Sequence, residues 1–509
     1  MPLVGNLLKT AVDLSQRLTP ARSPVEAQRK VLDGLLFSAK DTAFGRFYNF
    51  EAILEAPDTY TAFRDRVPLL DYDQLHSRWW YQQQREPDIT WPGKPNFFAL
   101  SSGTTGNTPK RIPVTAEMLD AIRSVSLAQI KSLGNFELPP ETFEKEILGL
   151  GSSINLQAHR DHLEGEISGI NAYEAPEWFD YFYRPGREIA AIDDWDKRIE
   201  AIVAQADQWD VGALVGIPSW VLQMLQAIVQ KYQLDHIHQL WPALSLYATG
   251  GVAFEPFRKS FDDLMGKPIH YQDTYLASEG YFAFNARPGT DAMQLALNHG
   301  VFFEFIPFND QGFDARGNLL KNPEVVDVSQ ITTQQDYALI VSTCAGAWRY
   351  MIGDTVRFTD AERLEIVLTG RTKYFLNVVG SQLSEEKMND AIADLGEFLG
   401  QPVNEYTVGA LPAEDGSYRH QWVVGTAESF SEQEARDRLD RFLAKANKNY
   451  AVAREKALRG VSLRRVPLEA LYDWMDYQKQ KGGQAKVPRV MPEGDLRDLL
   501  KFLDTYGSL

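Results

Sequence analysis

The sequence predicts an α/β protein with a large multi-sheet N-terminal domain and a small α+β C-terminal domain. Short β-rich runs alternate with helix-length segments in the middle of the chain: VGALVGIP, SWVLQMLQAIVQKY, LSLYATGG and FEPFRKSFDDLMG. This alternation is typical of a parallel sheet. A second set of strands, from VFFEFIPF to LEIVLTG, has shorter connections. We expect these strands to be antiparallel, in a small barrel or sheet beside the main one.

The C-terminal domain is predicted because the pattern of strands and helices restarts after GRTK at residues 370–373. KYFLNVVG is expected to be a strand, and Ser384 is placed to cap a helix that runs to about Leu399. Two strands, EYTVGAL and HQWVVGTA, and an amphipathic helix, SEQEARDRLDRFLAKANKNY, follow. A unit of roughly 135 residues is a normal domain size. We therefore expect domains at 1–372 and 373–509.

Charge and apolar pattern argue against two classes of partner. The chain has 52 lysines and arginines against 69 aspartates and glutamates, a formal net charge of −17. Such a surface repels phosphate backbones and anionic lipid, and no apolar run reaches the ~18 residues of a membrane-spanning helix. The first residues lack the features of a secretory signal, and Cys344 has no second cysteine to pair with. We expect a cytoplasmic protein with no nucleic-acid or membrane partner.

The loop ALSSGTTGNTPKRIPVT, residues 99–115, is the first candidate for a ligand site. Its glycines permit close backbone approach, its hydroxyls can donate, and successive main-chain N–H groups in such a turn bind anions. Lys110 is placed to neutralise what the loop holds. The loop matches neither GxxxxGK[ST] nor GxGxxG. By itself, it is compatible with a phosphate site or with a plain loop.

Three later segments favour a nucleotide site. In YQDTYLASEGY, at the end of an apparent strand, Tyr275 is placed to stack on a base and Glu279 to hold a metal bound to phosphates. The alternative is an aromatic strand end with a solvated glutamate. In WRYMIGD, Asp354 follows a glycine and is expected on a turn, where it would grip the vicinal hydroxyls of a ribose. In GGQAKVPR, Lys486 and Arg489 are placed on a glycine-containing loop near the C-terminus. The alternative interpretation of this segment is a solvated basic loop.

The order of these motifs carries a resemblance. SSGTTG followed by a lysine, YLASEG, RYMIGD, GR at a domain junction and a C-terminal lysine loop together resemble the adenylate-forming superfamily. Within it, HYQDTYLASEGYFAFNARPG, NHGVFFEFIPF, DYALIVSTCAGAWRYMIGDTVRF and GGQAKVPR are most similar to the auxin-responsive acyl acid–amido synthetases, the Gretchen Hagen family. The resemblance runs from about residue 96 to 490. GRTKYF departs from the plant pattern and suggests a bacterial-type branch.

The resemblance implies a ligase that makes an amide in two steps. A carboxylic acid attacks the α-phosphate of ATP, releases pyrophosphate and forms an acyl adenylate; the amine of an amino acid then displaces AMP. ATP and Mg²⁺ are the implied cofactors, and a carboxylic acid and an amino acid the implied partners. The implied phosphate cradle is Ser101, Ser102, Gly103, Thr104, Thr105 and Gly106, with Lys110 nearby. The implied adenine-lining segment is Thr249, Gly250, Gly251 and Val252, preceded by Ala248.

The same resemblance assigns the remaining roles. Tyr275 would stack on the base, Ser278 would contact the α-phosphate, and Glu279 would help to hold magnesium. Asp354 would bind the ribose hydroxyls with support from Arg371. The last two assignments concern the mobile C-terminal domain: Lys373 matches its hinge, and Lys486 would enter the site for adenylation and swing away for the second step.

Two alternative functions stay open at this point. An acyl-CoA ligase shares the first step but passes the acyl group to a thiol. A ligand-binding member would keep the fold without the chemistry, although the presence of both Lys486 and Glu279 speaks against it. The acid pocket is expected around Met118 to Gln129 in the helix after the phosphate loop, where Arg123 is a guess for a carboxylate partner.

Two histidine pairs do not predict a metal site. His159 and His162 have HxxH spacing, and His236 and His238 form HIH. Neither has a partner pair at metal-ligand spacing in the sequence, so core or surface histidines are expected. The sequence has no GxSxG motif, the elbow that would indicate a serine nucleophile. Cys344 lies in an apolar run, ALIVSTCAG, which favours burial of its side chain.

Overall fold

The computed structural model describes residues 9–10, 23–101, 109–314, 317–372, 383–412, 418–456, 458–478 and 486–506. The predicted strand KYFLNVVG lies outside these residues. The strands are β1 (Phe97–Ser101), β2 (Lys110–Val114), β3 (Glu146–Leu150), β4 (Gln157–Ala158), β5 (Leu163–Gly165), β6 (Tyr183–Arg184), β7 (Val211–Gly216), β8 (Leu246–Gly250), β9 (His270–Ala277), β10 (Gly280–Phe284), β11 (Met293–Leu295), β12 (Val301–Pro307), β13 (Asp336–Thr343), β14 (Tyr350–Asp360), β15 (Glu365–Arg371), β16 (Glu405–Pro412), β17 (Tyr418–Gly425) and β18 (Leu458–Val466).

The α-helices alternate with these strands through much of the chain. They are Pro24–Ala39, Ala43–Tyr48, Phe50–Leu54, Thr59–Arg66, Tyr72–Leu75, Tyr81–Gln83, Ala116–Ser132, Ile167–Tyr173, Arg187–Ala190, Trp195–Gln205, Pro218–Tyr232, Glu255–Leu264, Glu385–Leu399, Glu432–Ala446, Lys448–Lys456, Leu468–Tyr477 and Glu493–Thr505. Within the described ranges, no helix combines the length and the apolar character that a membrane crossing requires.

The main sheet has 11 strands in the order β12-β13-β14-β15-β11-β10-β9-β8-β7-β3-β6. The strands β6, β3, β7, β8 and β9 pair in parallel, as the alternation with helices predicts. From β9 to β12 every pairing is antiparallel. The expectation of a separate barrel or sheet is therefore wrong, because β10 and the three-residue β11 join the antiparallel strands to the parallel ones.

A small N-terminal sheet, β2-β1-β5-β4, carries the candidate phosphate loop. β1 and β2 form an antiparallel hairpin in which Ser101 lies opposite Lys110. β5 pairs in parallel with β1 and antiparallel with β4. The hairpin therefore fixes both ends of the predicted loop on one edge of this sheet.

Local sequence signals explain where several helices begin. Thr115 accepts a hydrogen bond from the Met118 backbone N–H at the start of Ala116–Ser132, and Asp194 does the same for Lys197. Ser384 caps Glu385–Leu399 through the Lys387 N–H, as predicted. Such caps satisfy N–H groups that a helix leaves without partners.

The C-terminal residues form an α+β unit around the three-stranded sheet β16-β17-β18. Part of this unit packs on the large domain. The Tyr472 ring lies 5.4 Å from that of Trp220, and Ser260 donates a 3.0 Å hydrogen bond to the buried Asn404 side chain. Residues of the parallel half and of the C-terminal helices share one hydrophobic cluster. The boundary predicted at 372/373 adjoins residues outside the described ranges and stays a prediction.

A buried ion pair crosses the antiparallel half of the main sheet. Arg349 donates two 2.9 Å hydrogen bonds to the Glu304 carboxylate, and its Nη1 donates to the carbonyl oxygens of Arg64 and Val67. The Arg349 and Glu304 side chains are only 4% and 1% exposed. Arg349 thus ties the strand β14, which carries Asp354, to the N-terminal helices.

We expect Glu304→Gln to destabilise the protein by about 3–5 kcal/mol, because it leaves the Arg349 charge buried without its partner. The measurement is the thermal midpoint by differential scanning calorimetry at fixed scan rate. Arg497→Ala is the matched control: it breaks an exposed pair with Glu493 and should change stability by no more than about 0.5 kcal/mol. Equal midpoint shifts for the two variants would contradict a structural role for the pair.

Candidate active site

A cleft of about 650 Å³ opens at the carboxyl ends of the parallel strands β7, β8 and β9. Ligands gather at this edge of open α/β sheets because the strand ends and the loops after them leave a crevice there. The segments that line the cleft come from distant parts of the chain, from the β1–β2 hairpin to the residues after β18.

The structure brings most of the predicted site residues to this one cleft. Its lining includes Ser101, Lys110, Thr249, Gly250, Gly251, Val252, Tyr275, Ser278, Glu279, Asp354, Arg371 and Lys486. Ser102, Gly103, Thr104, Thr105 and Gly106 lie outside the described residues, as does the predicted hinge Lys373. The convergence is a property of the fold; the role of each residue stays a prediction.

Asp354 sits at the centre of a three-residue network. Arg371 Nε donates a 2.7 Å hydrogen bond to Asp354 Oδ1, and the Tyr275 hydroxyl donates a 2.5 Å bond to Oδ2. Burial raises the pKa of Tyr275 well above its usual value, and the Asp354 charge raises it further. The neighbouring Asp354 charge also raises the pKa of Arg371. The two hydrogen bonds therefore hold the carboxylate in one orientation.

Two expectations about this network need correction or extension. Asp354 does not lie on a turn: it is inside the long strand β14, opposite Arg371 on β15. Gly353, with φ of 95°, lets the strand continue through a conformation that other residues rarely adopt. Tyr275 is buried, and its ring packs edge-on against Phe282. Its hydrogen bond to Asp354 is a contact that the sequence did not predict.

Glu279 is a buried carboxylate, only 6% exposed, so the alternative of a solvated glutamate is wrong. Burial raises its pKa, and the positive charge of Lys110 opposes that shift. Burial lowers the pKa of Lys110, whose ammonium lies 5.3 Å from the centre of the Tyr72 ring, and the Glu279 charge partly restores it. A divalent cation bound by Glu279 would offset the electrostatic penalty of burying this carboxylate.

The ends of β8 and β9 approach each other closely at Gly250. A Cβ on Gly250 would lie 2.5 Å from Thr274 Oγ1 and 2.7 Å from the Thr274 carbonyl oxygen. Thr274 in turn donates a 2.8 Å hydrogen bond to the Thr249 carbonyl. Gly251 has φ of 84°. Glycine at these two positions is thus required by the backbone that forms this wall of the cleft.

Lys486 reaches the cleft from the C-terminal unit. Its Nζ donates a 2.7 Å hydrogen bond to the Gly251 carbonyl oxygen. Desolvation lowers its pKa, and the nearby Arg371 charge lowers it further. Arg489, the other cation of GGQAKVPR, is instead buried in an ion pair with Glu405 at 2.6 Å. Arg489 is therefore not a solvated cation, and Lys486, although exposed, is the residue of this motif that lines the cleft.

The part of the cleft beside β3 and β7, here called the apolar arm, has more apolar walls. Leu150, Ile167, Val215 and Ile217 line it, together with the hydroxyls of Ser152 and Ser168. In the strand order, β7 and β3 lie on the other side of β8 from β14, the strand that carries Asp354. An apolar pocket with a few polar groups suits a small organic ligand.

The acid pocket expected around Met118 to Gln129 is not found here. No residue from 118 to 129, all of them described, lines the cleft. Met118, Ile122 and Val125 are buried in the hydrophobic core instead. Arg123 forms a 2.9 Å ion pair with Asp120 and bonds the Glu174 carbonyl on the surface. The guess that Arg123 meets a substrate carboxylate is therefore wrong for this cleft.

Sequence reasoning also missed an acidic edge of the cleft. Glu385 and Glu386 line it from the first turn of the helix that Ser384 caps, and Asn389 follows one turn later. The signal was present as Ser-Glu-Glu shortly after Gly370 and Arg371.

Cys344 behaves as predicted: it is buried, and burial raises the pKa of its thiol to about 12.

The fold is similar to that of two kinds of solved enzyme structure, an acyl acid amido synthetase and an acyl-CoA ligase. The structure of an acyl acid amido synthetase, AtGH3.15 in complex with 2,4-DB, matches with a TM-score of 0.75 at 17% identity and covers 95% of this chain and 97% of that chain. A 2-hydroxyisobutyryl-CoA ligase in its postadenylation state matches with a TM-score of 0.60 at 12% identity, over 96% of each chain. At these identities the likeness concerns the fold, and it confirms the predicted α/β class with N- and C-terminal domains.

The chain belongs to the GH3 family. Models of the GH3 family N-terminal, central and C-terminal domains match residues 18–155, 294–365 and 386–495 in order, together more than half of the sequence. The family prediction is confirmed; the bacterial-type branch stays a prediction.

Curated relatives match at lower coverage. Indole-3-acetic acid-amido synthetase GH3.2 of Arabidopsis thaliana is 25% identical over 222 residues, 41% of this chain and 38% of its own length. A probable indole-3-acetic acid-amido synthetase, GH3.7 of Oryza sativa subsp. japonica, is 23% identical over 503 residues, 79% of this chain and 77% of its own length. The first of these alignments thus spans less than half of the relative.

Proposed function

We propose that the protein is an ATP-dependent acyl acid–amido synthetase, which activates a carboxylic acid as an acyl adenylate and transfers the acyl group to an amino acid. The observation that carries the proposal is the convergence of Asp354, Glu279 and Lys486 on one cleft. Membership of the GH3 family and the names of its curated relatives support it.

In this proposal the network around Asp354 binds the nucleoside. Each Asp354 oxygen already accepts one hydrogen bond, from Tyr275 or Arg371. A carboxylate has about four lone-pair sites, so each oxygen can accept one ribose hydroxyl as well. The segment Thr249 to Val252 lines the adenine, and Tyr275 supports the base.

The triphosphate lies between Lys110, Glu279 and Lys486. The acid's carboxylate oxygen attacks the α-phosphorus, the bond from that phosphorus to the bridging oxygen breaks, and pyrophosphate leaves. Glu279 holds Mg²⁺, which neutralises charge on the departing phosphates when it is bound. Lys486 donates to the α-phosphate oxygens, and Ser101 and Ser278 add hydroxyl donors. Such groups suffice because phosphoryl transfer needs positioning and charge neutralisation more than covalent catalysis.

The apolar arm of the cleft takes the organic part of the acid. An amino acid amine then attacks the acyl carbon, the bond to the phosphate oxygen breaks, and AMP leaves. Lys486 withdraws as the C-terminal unit rotates about Lys373. This rotation separates Tyr472 of the C-terminal unit from Trp220 of the large domain. Gating of this kind couples domain closure to chemistry.

We place the protein in the cytoplasm, with the domain boundary at 372/373.

The test is a screen of carboxylic acids for ATP-dependent pyrophosphate release with Mg²⁺, with either pooled amino acids or coenzyme A as acceptor. We expect acid-dependent release of pyrophosphate and AMP, and an amide product by mass spectrometry. A thioester without amide would instead establish the acyl-CoA ligase, whose fold this chain shares. No pyrophosphate release with any acid would favour a ligand-binding member.

A further inference from the structure

A cluster of metal-ligating side chains lies on the small N-terminal sheet, among residues that do not line the cleft. His159 and His162 flank the turn between β4 and β5, and the His159 backbone N–H donates a 2.9 Å hydrogen bond to the His162 carbonyl. Glu164 follows on β5, opposite Phe98 of β1. The hairpin thus adds a carboxylate to the HxxH pair that sequence reasoning left without a partner.

The three side chains lie side by side, with the two imidazole rings stacked at 5.2 Å between their centroids. His162 Nε2 shares a 3.1 Å hydrogen bond with Glu164 Oε1, which a bound metal would replace, and His159 Nε2 lies 3.2 Å from Oε2. One ligand atom from each residue fits within a group no more than 4.8 Å across. Metal–ligand bonds of ~2.0–2.2 Å at tetrahedral angles place neighbouring ligand atoms about 3.3 Å apart. The two histidine–carboxylate distances match this spacing, and rotation of the partly exposed His159 ring would bring its nitrogen towards the same ion.

Hydrogen bonding within the protein leaves part of this cluster unused. Glu164 is 97% removed from solvent at its side chain, yet Oε2 accepts no hydrogen bond. His159 Nε2 lies close to that oxygen but forms no hydrogen bond with it. A buried carboxylate oxygen without a donor is costly. A cation bound to Oε2 and to the lone pair of His159 would supply the missing partner.

The surroundings of the cluster also suit a metal site. Arg111 Nε on β2 donates a 2.8 Å hydrogen bond to Glu164 Oε1 and so fixes the carboxylate from outside the cluster. Outer contacts of this kind orient metal ligands. His159 is 43% exposed, which leaves ions a path to the site. Two imidazoles with one carboxylate favour a transition-metal dication such as Zn²⁺ over Mg²⁺, which prefers oxygen ligands alone.

We propose that His159, His162 and Glu164 form a binding site for one transition-metal dication of the Zn²⁺ class. The fourth position of a tetrahedral ion is open to water from the exposed side. The site is separate from the Mg²⁺ assigned to Glu279 and does not rest on the proposed ligase activity. It lies one strand away from β1, so bound metal would brace the sheet that carries Ser101.

The test uses the full chain, stripped with chelator and titrated with ZnCl₂ by calorimetry and with CoCl₂ by visible absorption, without nucleotide. We expect one equivalent to bind, with visible bands for Co²⁺ in a four-coordinate site. His159→Ala and His162→Ala should each weaken binding by at least about tenfold. Arg160→Ala, on the same turn and exposed, is the matched control and should bind as the parent does.

Circular dichroism and thermal melts of each variant check that the fold is kept; His159→Ala is the safer variant because its side chain is the more exposed. Absence of saturable binding in the parent would overturn the proposal. It would also be overturned by unchanged affinity in both histidine variants, which would put the metal elsewhere.

Discussion

Lys486→Ala is expected to lower the rate of adenylate formation by at least about 100-fold, the usual loss when one preorganised donor to a developing charge is removed. Lys486 Nζ already lies in the cleft, on the Gly251 carbonyl oxygen. The substitution removes this ammonium group, so the α-phosphate has one cation fewer beside it. The measurement is exchange of labelled pyrophosphate into ATP, with the acid that the substrate screen identifies.

Two further readouts separate catalysis from binding and folding in this variant. ATP affinity, measured by calorimetry, should change little, because Asp354 and the strand ends hold the nucleoside. Aminolysis of a synthetic acyl adenylate should also be retained, since Lys486 acts in the first step alone. Lys501→Ala, an exposed C-terminal lysine paired with Asp498, is the matched control. Exchange at the parent rate in Lys486→Ala would remove Lys486 from the mechanism.

Asp354→Asn is expected to weaken ATP binding roughly 10- to 150-fold, the equivalent of losing a charged hydrogen-bond acceptor worth about 1.5–3 kcal/mol. The change removes the charge that Arg371 and Tyr275 both contact. An amide presents only one acceptor oxygen, so it cannot satisfy two protein donors and two ribose hydroxyls together. Calorimetric titration with ATP gives the affinity directly.

A double comparison with 2′-deoxy-ATP tests whether Asp354 meets the ribose. The parent should bind 2′-deoxy-ATP more weakly than ATP, and this difference should shrink towards zero in Asp354→Asn, because the two changes remove the same contact. Asp336→Asn, on the neighbouring strand β13 and paired with Arg357, should keep the full difference. A deoxy penalty that is unchanged in Asp354→Asn would place the ribose elsewhere.

Local patterns were sufficient to predict the elements that matter most for the site. The alternation of apolar runs with helix-length segments located β7, β8 and β9, and Ser384 marked the start of its helix. The continuity of the main sheet was not predictable in this way. It depends on the pairing of β11 with β15, which joins two short segments about seventy residues apart and leaves no signal in either sequence alone.

The candidate site shows the same division. The motifs led to Glu279, Asp354 and Lys486, which share the cleft. The family resemblance pointed to the helix from Met118 to Gln129 for the acid pocket, whereas Met118, Ile122 and Val125 of that helix pack into the hydrophobic core. Likewise, the HxxH spacing showed two histidines, whereas the position of Glu164 beside both depends on the β4–β5 hairpin and on Arg111.

A structure of the protein with a non-reactive acyl-adenylate analogue tests the central claim most directly. Side chains from the hairpin, the sheet edge and the C-terminal unit should all touch that one ligand: Asp354 at its ribose hydroxyls, and Lys486 at the group that replaces the α-phosphate. An analogue bound outside the cleft, or bound in it with no contact to Asp354 or Ser101, would contradict a single shared nucleotide site.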